Sequence, residues 1–281
     1  MTPSSDTGTS RWVYITGATS GIGLQAAIQL AKQGDRVIIG ARNQEKGDSA
    51  REKVLKEAPE AEIHIATGDL STKKGCREQV RHVLTTTDRI DVLVLNAGLS
   101  SPRRRKSEDG VEITFAVNHL ATFRTALQLH DALKRSQAPR VLVVASHAHR
   151  SAKLEIEDVE LENRRYSGWT QYCNTKLMNL LFTMELARRW RKDDITVNAL
   201  HPGVVDTGIA RKWLLGRLVF KIFGTPADKG ADTIVYLATD PIGRKVTAQY
   251  FAQRNPLSPR RVAYNEQLQQ RLWEISETYG V

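Results

Sequence analysis

Seven short β-branched or apolar runs alternate with longer segments of helical period along this chain of 281 residues. The runs lie at 12–16, 36–40, 62–66, 91–95, 140–145, 195–200 and 248–251. The helical segments lie at 22–33, 44–57, 72–86, 111–136, 170–191 and 227–238. Two runs, Val92-Leu93-Val94-Leu95 and Val141-Leu142-Val143-Val144, are apolar on both faces. A strand reads that way when helices cover both sides of a parallel sheet. Right-handed crossovers then build a doubly wound α/β sandwich, here of seven parallel strands with helices on both faces. No internal repeat and no Gly/Ser/Pro-rich linker divides the chain. The expected organisation is a disordered tail over 1–10 and one domain over 11–281.

Two stretches break the alternation. Residues 146–168 are polar and charged, and residues 207–225, after the sixth run, carry Trp213, Phe220 and Phe223 among basic residues. Connections at the carboxyl ends of parallel strands are where open α/β sheets bind ligands. The second stretch therefore reads as an apolar substrate lid, and peripheral membrane contact through it is a further expectation.

Cysteine usage and charge narrow the function classes. Two cysteines, Cys76 and Cys173, exclude a disulfide scaffold and any multi-cysteine metal site. The first ten residues are polar, without the apolar stretch of a secretory leader, and no run approaches the roughly 18 residues of a membrane span. A reducing cytoplasm is the expected compartment. Forty-one Lys and Arg against 31 Asp and Glu give +10, partly clustered at 103–106, 188–192 and 211–221. Such patches read first as solvated surface, and no nucleic-acid-binding module accompanies them. His147 and His149 lack further ligands nearby in sequence, so no metal site is expected.

Thr16-Gly17-Ala18-Thr19-Ser20-Gly21-Ile22-Gly23 follows the first run and opens the first helical segment. Its glycines permit a sharp bend, and the helix start offers unpaired N–H groups and a positive dipole end to a pyrophosphate. A dinucleotide is the reading favoured over a plain tight turn. The second run ends Gly40-Ala41-Arg42-Asn43, without the carboxylate that would bind a 2′-hydroxyl. Arg42 can instead make charge-assisted hydrogen bonds to a 2′-phosphate, which favours NADP(H); the plainer alternative is a surface pair with Glu45.

Tyr172 and Lys176 stand one helical turn apart on one face. A nearby cation favours the phenolate, so the tyrosine is expected to titrate below its usual value of about 10. Such a phenol can give a proton to a carbonyl oxygen or take one from an alcohol. Asn96-Ala97-Gly98 after the fourth run, Asn118, Ser146 after the fifth and His201-Pro202-Gly203 after the sixth complete the pattern.

With these motifs the chain resembles the short-chain dehydrogenase/reductase family, over residues 11–278. Val117-Asn118-His119-Leu120, Ala145-Ser146-His147-Ala148-His149 and Tyr250-Phe251 carry a narrower likeness. They resemble the retinol-dehydrogenase-like group, which includes the catalytic domain of the WW-domain-containing oxidoreductases. The resemblance implies a Rossmann fold, with Tyr172 as general acid/base and Lys176 lowering its pKa and holding the nicotinamide ribose. It implies that Ser146 hydrogen-bonds the reacting oxygen and that Asn118 holds a water linking Lys176 to solvent. Thr16, Gly17, Gly21, Ile22 and Gly23 would surround the pyrophosphate, with Arg42 at the 2′-phosphate. Asp69 and Leu70 would flank the adenine, Asn96 and Gly98 the adenosine ribose, and Pro202, Gly203 and Thr207 the nicotinamide. A homodimer through the two long central helices is also implied.

The sequence departs from the family pattern at Ala145, where a first serine is usual, and at Leu95, where a first asparagine is usual. It also shows no N-terminal apolar anchor of the kind that membrane-bound relatives carry. The activity implied is interconversion of a carbonyl and an alcohol on an apolar small molecule, with hydride from NADPH and a proton from Tyr172. Reduction of an activated C=C bond and dinucleotide sensing without turnover are the alternatives.

Overall fold

The structure is a computed structural model, and it describes residues 10–203 and 227–281. Eight strands form one sheet: β1 (Trp12–Ile15), β2 (Arg36–Ala41), β3 (Ile63–Thr67), β4 (Val92–Leu95), β5 (Arg140–Val144), β6 (Thr196–His201), β7 (Tyr250–Ala252) and β8 (Asn255–Leu257). Their spatial order is β3-β2-β1-β4-β5-β6-β7-β8. The first seven are parallel, as the doubly apolar runs imply, and β8 is antiparallel to β7. The eighth strand exceeds the seven expected. Gln253 and Arg254, both at positive φ, turn the chain back in a hairpin of the kind that suits twisted strands. Asn-Pro-Leu carries no β signal, and Pro256 is tolerated because β8 is an edge.

The helices that cover the sheet are α1 (Gly21–Ala31), α2 (Gln44–Glu57), α3 (Lys73–Thr86), α4 (Ile113–Phe115), α5 (Ala121–Gln128), α6 (His130–Lys134), α7 (Gly168–Arg189), α8 (Ala227–Thr239), α9 (Ile242–Lys245) and α10 (Glu266–Thr278). Alternate strand residues face opposite cores. Val13, Ile15, Val37 and Ile39 pack with Ala27 and Leu30 of α1 and Val54 of α2. Tyr14, Ile38, Leu93 and Val141 pack with Val83 of α3, Phe123 of α5 and Phe182 of α7.

The single helix expected over 111–136 is broken. The buried Glu112 carboxylate caps the start of α4 by accepting from Thr114 N (2.9 Å) and Phe115 N (2.8 Å). A π turn over Ala116–Leu120 then joins α4 to α5, and Leu129 (φ −99°, ψ 5°) separates α5 from α6.

The C-terminal helix α10 crosses α7 and reaches α5. Trp273 packs edge-on to Phe123 (4.9 Å between centroids) and stacks on Phe182 (6.1 Å). Beyond it, Arg124 donates to Gly280 O and Tyr279 O, both at 2.8 Å. Residues 173–187 of α7 are consequently buried all round. Helix α10 thus covers part of α5 and α7, the helices through which the resemblance implies a homodimer.

The expected lid over 207–225, the basic cluster over 211–221 and Thr207 lie outside the described residues, as do residues 1–9 of the expected tail. Among the described residues, no helix is long and apolar enough to cross a membrane.

Candidate active site

The glycine bend is locked to the loop after β4. Thr16 Oγ1 accepts the backbone N–H groups of Asn96 (2.9 Å) and Ala97 (3.0 Å). In return Asn96 Nδ2 donates to Thr16 O (2.9 Å) and Gly17 O (3.1 Å). Both donors of that amide thus hold the bend itself. Gly17 has φ +64°, and a Cβ there would lie 2.9 Å from Ala97 Cα; at Gly23 it would lie 2.5 Å from Asn96 Nδ2. These two glycines are required by packing within the protein, a reason the sequence reading did not contain.

What remains open suits an anion. Ser20, at the start of α1, makes no side-chain cap hydrogen bond, and the first turn of α1 contains no acidic residue. The amides of Gly21, Ile22 and Gly23 therefore meet no competing carboxylate, and a pyrophosphate fits this donor set. Arg42, exposed just after β2, pairs with Asp69 (Nε to Oδ2, 3.6 Å) and not with Glu45. Leu70 turns inward and packs with Cys76 and Ala121. Pro202 and Gly203 (φ +87°) follow β6 directly.

Gly98 joins the two halves of the site. A Cβ at Gly98 would stand 3.4 Å from Asn118 Oδ1 and 3.6 Å from Lys176 Nζ. The same short loop, 96–98, therefore holds the glycine bend and passes close to the α7 lysine, with room at Gly98 for no more than a Cβ between them. Asn118 lies in the π turn and is fully buried. Its side chain accepts from Leu99 N (2.7 Å) and donates to Leu99 O (2.9 Å) and Thr175 Oγ1 (3.0 Å). A π turn inserts one residue into the helical ladder and re-aims side chains, and the pairing with Leu99 lies within it.

Ser146 caps the short turn His147–Ser151. Its Oγ accepts Ala148 N–H (3.2 Å), which leaves its own hydroxyl hydrogen for Tyr172, with which it is hydrogen-bonded. Lys176 Nζ donates to Val144 O (2.9 Å) and lies 5.6 Å from the centre of the Tyr172 ring. Ser146, Tyr172 and Lys176 thus converge at the carboxyl end of β5. The expectation that the cation holds the phenol below its usual value is not met. Burial raises Tyr172 to about 12, with the Ser146 hydrogen bond opposing it. Burial likewise lowers Lys176 to about 8. Desolvation dominates both shifts, and the ammonium donates to the Val144 carbonyl.

Three residues given no role from sequence stand beside this group. Trp169, one turn before Tyr172, is 47% exposed and stacks on its ring at 6.0 Å. His201 Nδ1 accepts His147 N–H (3.3 Å), and burial lowers that imidazole to about 4. His149 is fully buried behind Ser146. Helical spacing from Tyr172 could have singled out Trp169, and both histidines lie in motifs the sequence displays, but their contacts depend on residues distant in the chain. Among the described residues, no cluster of three or more His, Cys, Asp or Glu side chains is placed to hold a metal. Cys173 is buried, with its thiol raised to about 12, so it is not a reactive thiolate. In the basic run at 103–106, Arg104 donates to Glu160 O and Leu161 O, and Lys106 pairs with Glu162 (2.9 Å), clamping the insert after β5.

Comparison with known proteins agrees with this geometry. The family model for short chain dehydrogenase matches residues 11–217. Human retinol dehydrogenase 13 is 33% identical over 98% of this chain and 86% of its own length. The WW domain-containing oxidoreductase of Drosophila melanogaster is 34% identical over 95% of this chain and 68% of its own. Among solved structures, an uncharacterized protein from Mycobacterium paratuberculosis superposes with a TM-score of 0.77. It is 30% identical, covering 96% of this chain and 92% of its own. The chain belongs to the short-chain dehydrogenase/reductase family, in its retinol-dehydrogenase-like group, and is an oxidoreductase of the alcohol–carbonyl type.

Proposed function

We propose that this protein is an NADP(H)-dependent reductase that converts a carbonyl on an apolar small molecule into an alcohol. The observation that carries the reading is the convergence of Ser146, Tyr172 and Lys176 at the end of β5, joined to the glycine bend through Gly98. When bound, the nicotinamide supplies the hydride taken up by the carbonyl carbon, and the protein supplies the proton.

Tyr172 is the proposed proton donor to the carbonyl oxygen, and the Ser146 hydroxyl, turned from Tyr172 to the substrate, hydrogen-bonds that oxygen. A phenol that burial keeps protonated at neutral pH suits a donor. Lys176 and Asn118 stand behind it, on the side from which a proton would be replaced. The amides of Gly21, Ile22 and Gly23 would hold the pyrophosphate, Arg42 the 2′-phosphate beside Asp69, Asn96 and Gly98 the adenosine ribose, and Pro202 and Gly203 the nicotinamide end. The absence of a carboxylate at the end of β2 supports NADP(H) over NAD(H). An apolar substrate is supported by the exposed Trp169 beside Tyr172 and by relatives named for retinol, an apolar alcohol. Residues 207–225 are the proposed lid.

The test is NADPH oxidation with a panel of aldehydes and ketones, followed by product analysis. Alcohol products that require Tyr172 are expected. Tyr172→Phe should lower kcat by about 10²- to 10⁴-fold with dinucleotide affinity nearly unchanged. Full activity in that variant, or products reduced at C=C, would overturn the assignment.

A further inference from the structure

The His149 side chain bridges two segments that meet behind Ser146. It is fully buried, and its Nδ1 lies 2.7 Å from Ser146 O, while Arg260 N–H donates to its Nε2 at 3.2 Å. Because Nε2 accepts from a backbone N–H, it carries no proton. In the neutral ring the proton then sits on Nδ1 and is donated to the Ser146 carbonyl. Burial holds the imidazole below its usual range, in keeping with that neutral form. The same carbonyl also accepts His149 N–H (3.1 Å), so ring and backbone grip one oxygen. The Tyr250 ring stands edge-on to the imidazole at 5.3 Å and closes its other side.

The segment on the far side of the ring is itself tied to the serine turn. Arg260 Nη1 donates to Ala152 O (2.8 Å), and Arg150 Nη2 donates to Ser258 O (2.9 Å). Three links therefore join residues 258–260 to the turn over 147–152, and the innermost ends on the Ser146 carbonyl. The Ser146 Oγ accepts from Ala148 N–H within that same turn, so its direction depends on how the turn is held. His149 and Tyr250 belong to the segments that carry the narrower family likeness, and the proton chemistry uses neither.

We propose that His149 is a positioning residue: a neutral strut between Arg260 and the Ser146 carbonyl that fixes the direction of the Ser146 hydroxyl. The inference rests on the proposed role of Ser146 at the reacting oxygen. Loss of the Nδ1 donor leaves the Ser146 carbonyl with the His149 N–H as its one remaining donor there and loosens the turn, while the dinucleotide end, built from β1, β2 and α1, is untouched.

The test compares three variants. His149→Phe fills the volume and keeps the contact with Tyr250 but removes both polar atoms. His149→Asn keeps a donor near the Nδ1 position, and His149→Gln places its amide at the reach of Nε2. The expected result for His149→Phe is a fall in kcat of about 10- to 100-fold with NADPH affinity within a factor of two. His149→Asn should recover most of that loss and His149→Gln little. Amide hydrogen exchange across residues 147–152, which needs no substrate, should quicken in the Phe and Gln variants and stay slow in the Asn variant. Wild-type turnover is measured first, so its absence would count against the proposed reaction, while the exchange pattern still tests the strut. Unchanged kcat in His149→Phe, unchanged exchange there, or a Gln variant as good as the Asn variant would overturn the proposal. If His149→Phe does not fold, the order of the Asn and Gln variants decides.

Discussion

The Lys176 ammonium lies 5.6 Å from the Tyr172 ring yet donates its hydrogen bond to Val144 O, and burial lowers its pKa to about 8. In the unfolded chain the same amine titrates near 10.5. Between these values the unfolded state binds more protons than the folded one, so this group makes stability rise with pH from about 8 to 10.5. Tyr172 acts in the opposite sense: its folded value near 12 lies above the ordinary 10, and stability falls with pH between them. Lys176→Met, which removes a buried charge, should raise Tm at pH 7 while abolishing turnover. The Tm advantage should shrink as pH passes from 8 to 10.5. Thermal melts at three pH values would check this, and a Tm advantage that grows with pH would contradict it.

Arg42 should set the choice of cofactor. Its partner Asp69 lies 3.6 Å away, and both side chains are about half exposed, so the pair is weak and a 2′-phosphate can compete for the guanidinium. Arg42→Asp should reverse the preference between NADPH and NADH. Asp69→Asn should tighten NADPH a few-fold by releasing the arginine. Ratios of kcat/KM for the two cofactors are the measurement, and an unchanged ratio in Arg42→Asp would remove the assignment.

Trp169 should recognise the body of the substrate. An exposed indole stacked on the Tyr172 ring presents an apolar face one helical turn from the reacting hydroxyl. Trp169→Ala should raise KM for aryl or polyene carbonyls by about 3- to 10-fold, with little effect on small aliphatic ketones. An equal rise across both substrate classes would point to a general effect on Tyr172.

The sheet was legible in the sequence because its strands are buried on both faces, which leaves a signal that needs no tertiary knowledge. The glycine bend, Asn96, Ser146 and the Tyr172/Lys176 pair were legible because each sits at a fixed offset from a strand or along one helix. The rest depends on distant partners. The π turn around Asn118 follows from hydrogen bonds to Leu99, nineteen residues earlier. His149 gains its tautomer from Arg260, 111 residues away. The direction of the Tyr172 shift escapes the sequence for the same reason, since a neighbouring charge is visible there and the enclosure of one phenol by distant segments is not. The eighth strand was missed because the hairpin turn creates it, without help from β propensity.

Helix α10 should keep this chain monomeric. In the two-helix dimer that the family resemblance implies, the outer faces of α5 and α7 would have to be free to meet a second copy. Here Trp273 fills that position, 6% exposed between Phe123 and Phe182, with Arg189 lying over its ring at 4.0 Å. Displacing it would uncover an indole and two phenyl rings, and removing a buried Trp costs about 3–5 kcal/mol. A second copy would have to repay that through the same surface, which leaves little gain from pairing there. Sedimentation velocity on the intact chain should give a single species of one-chain mass. Trp273→Ala should lower Tm by several degrees and promote self-association as the apolar face opens. A stable dimer of the intact chain would mean that the pairing surface lies elsewhere or that α10 leaves its seat. Cross-linking between cysteines placed on α5 and α10 separates the two, because a retained α5–α10 link in the dimer excludes displacement.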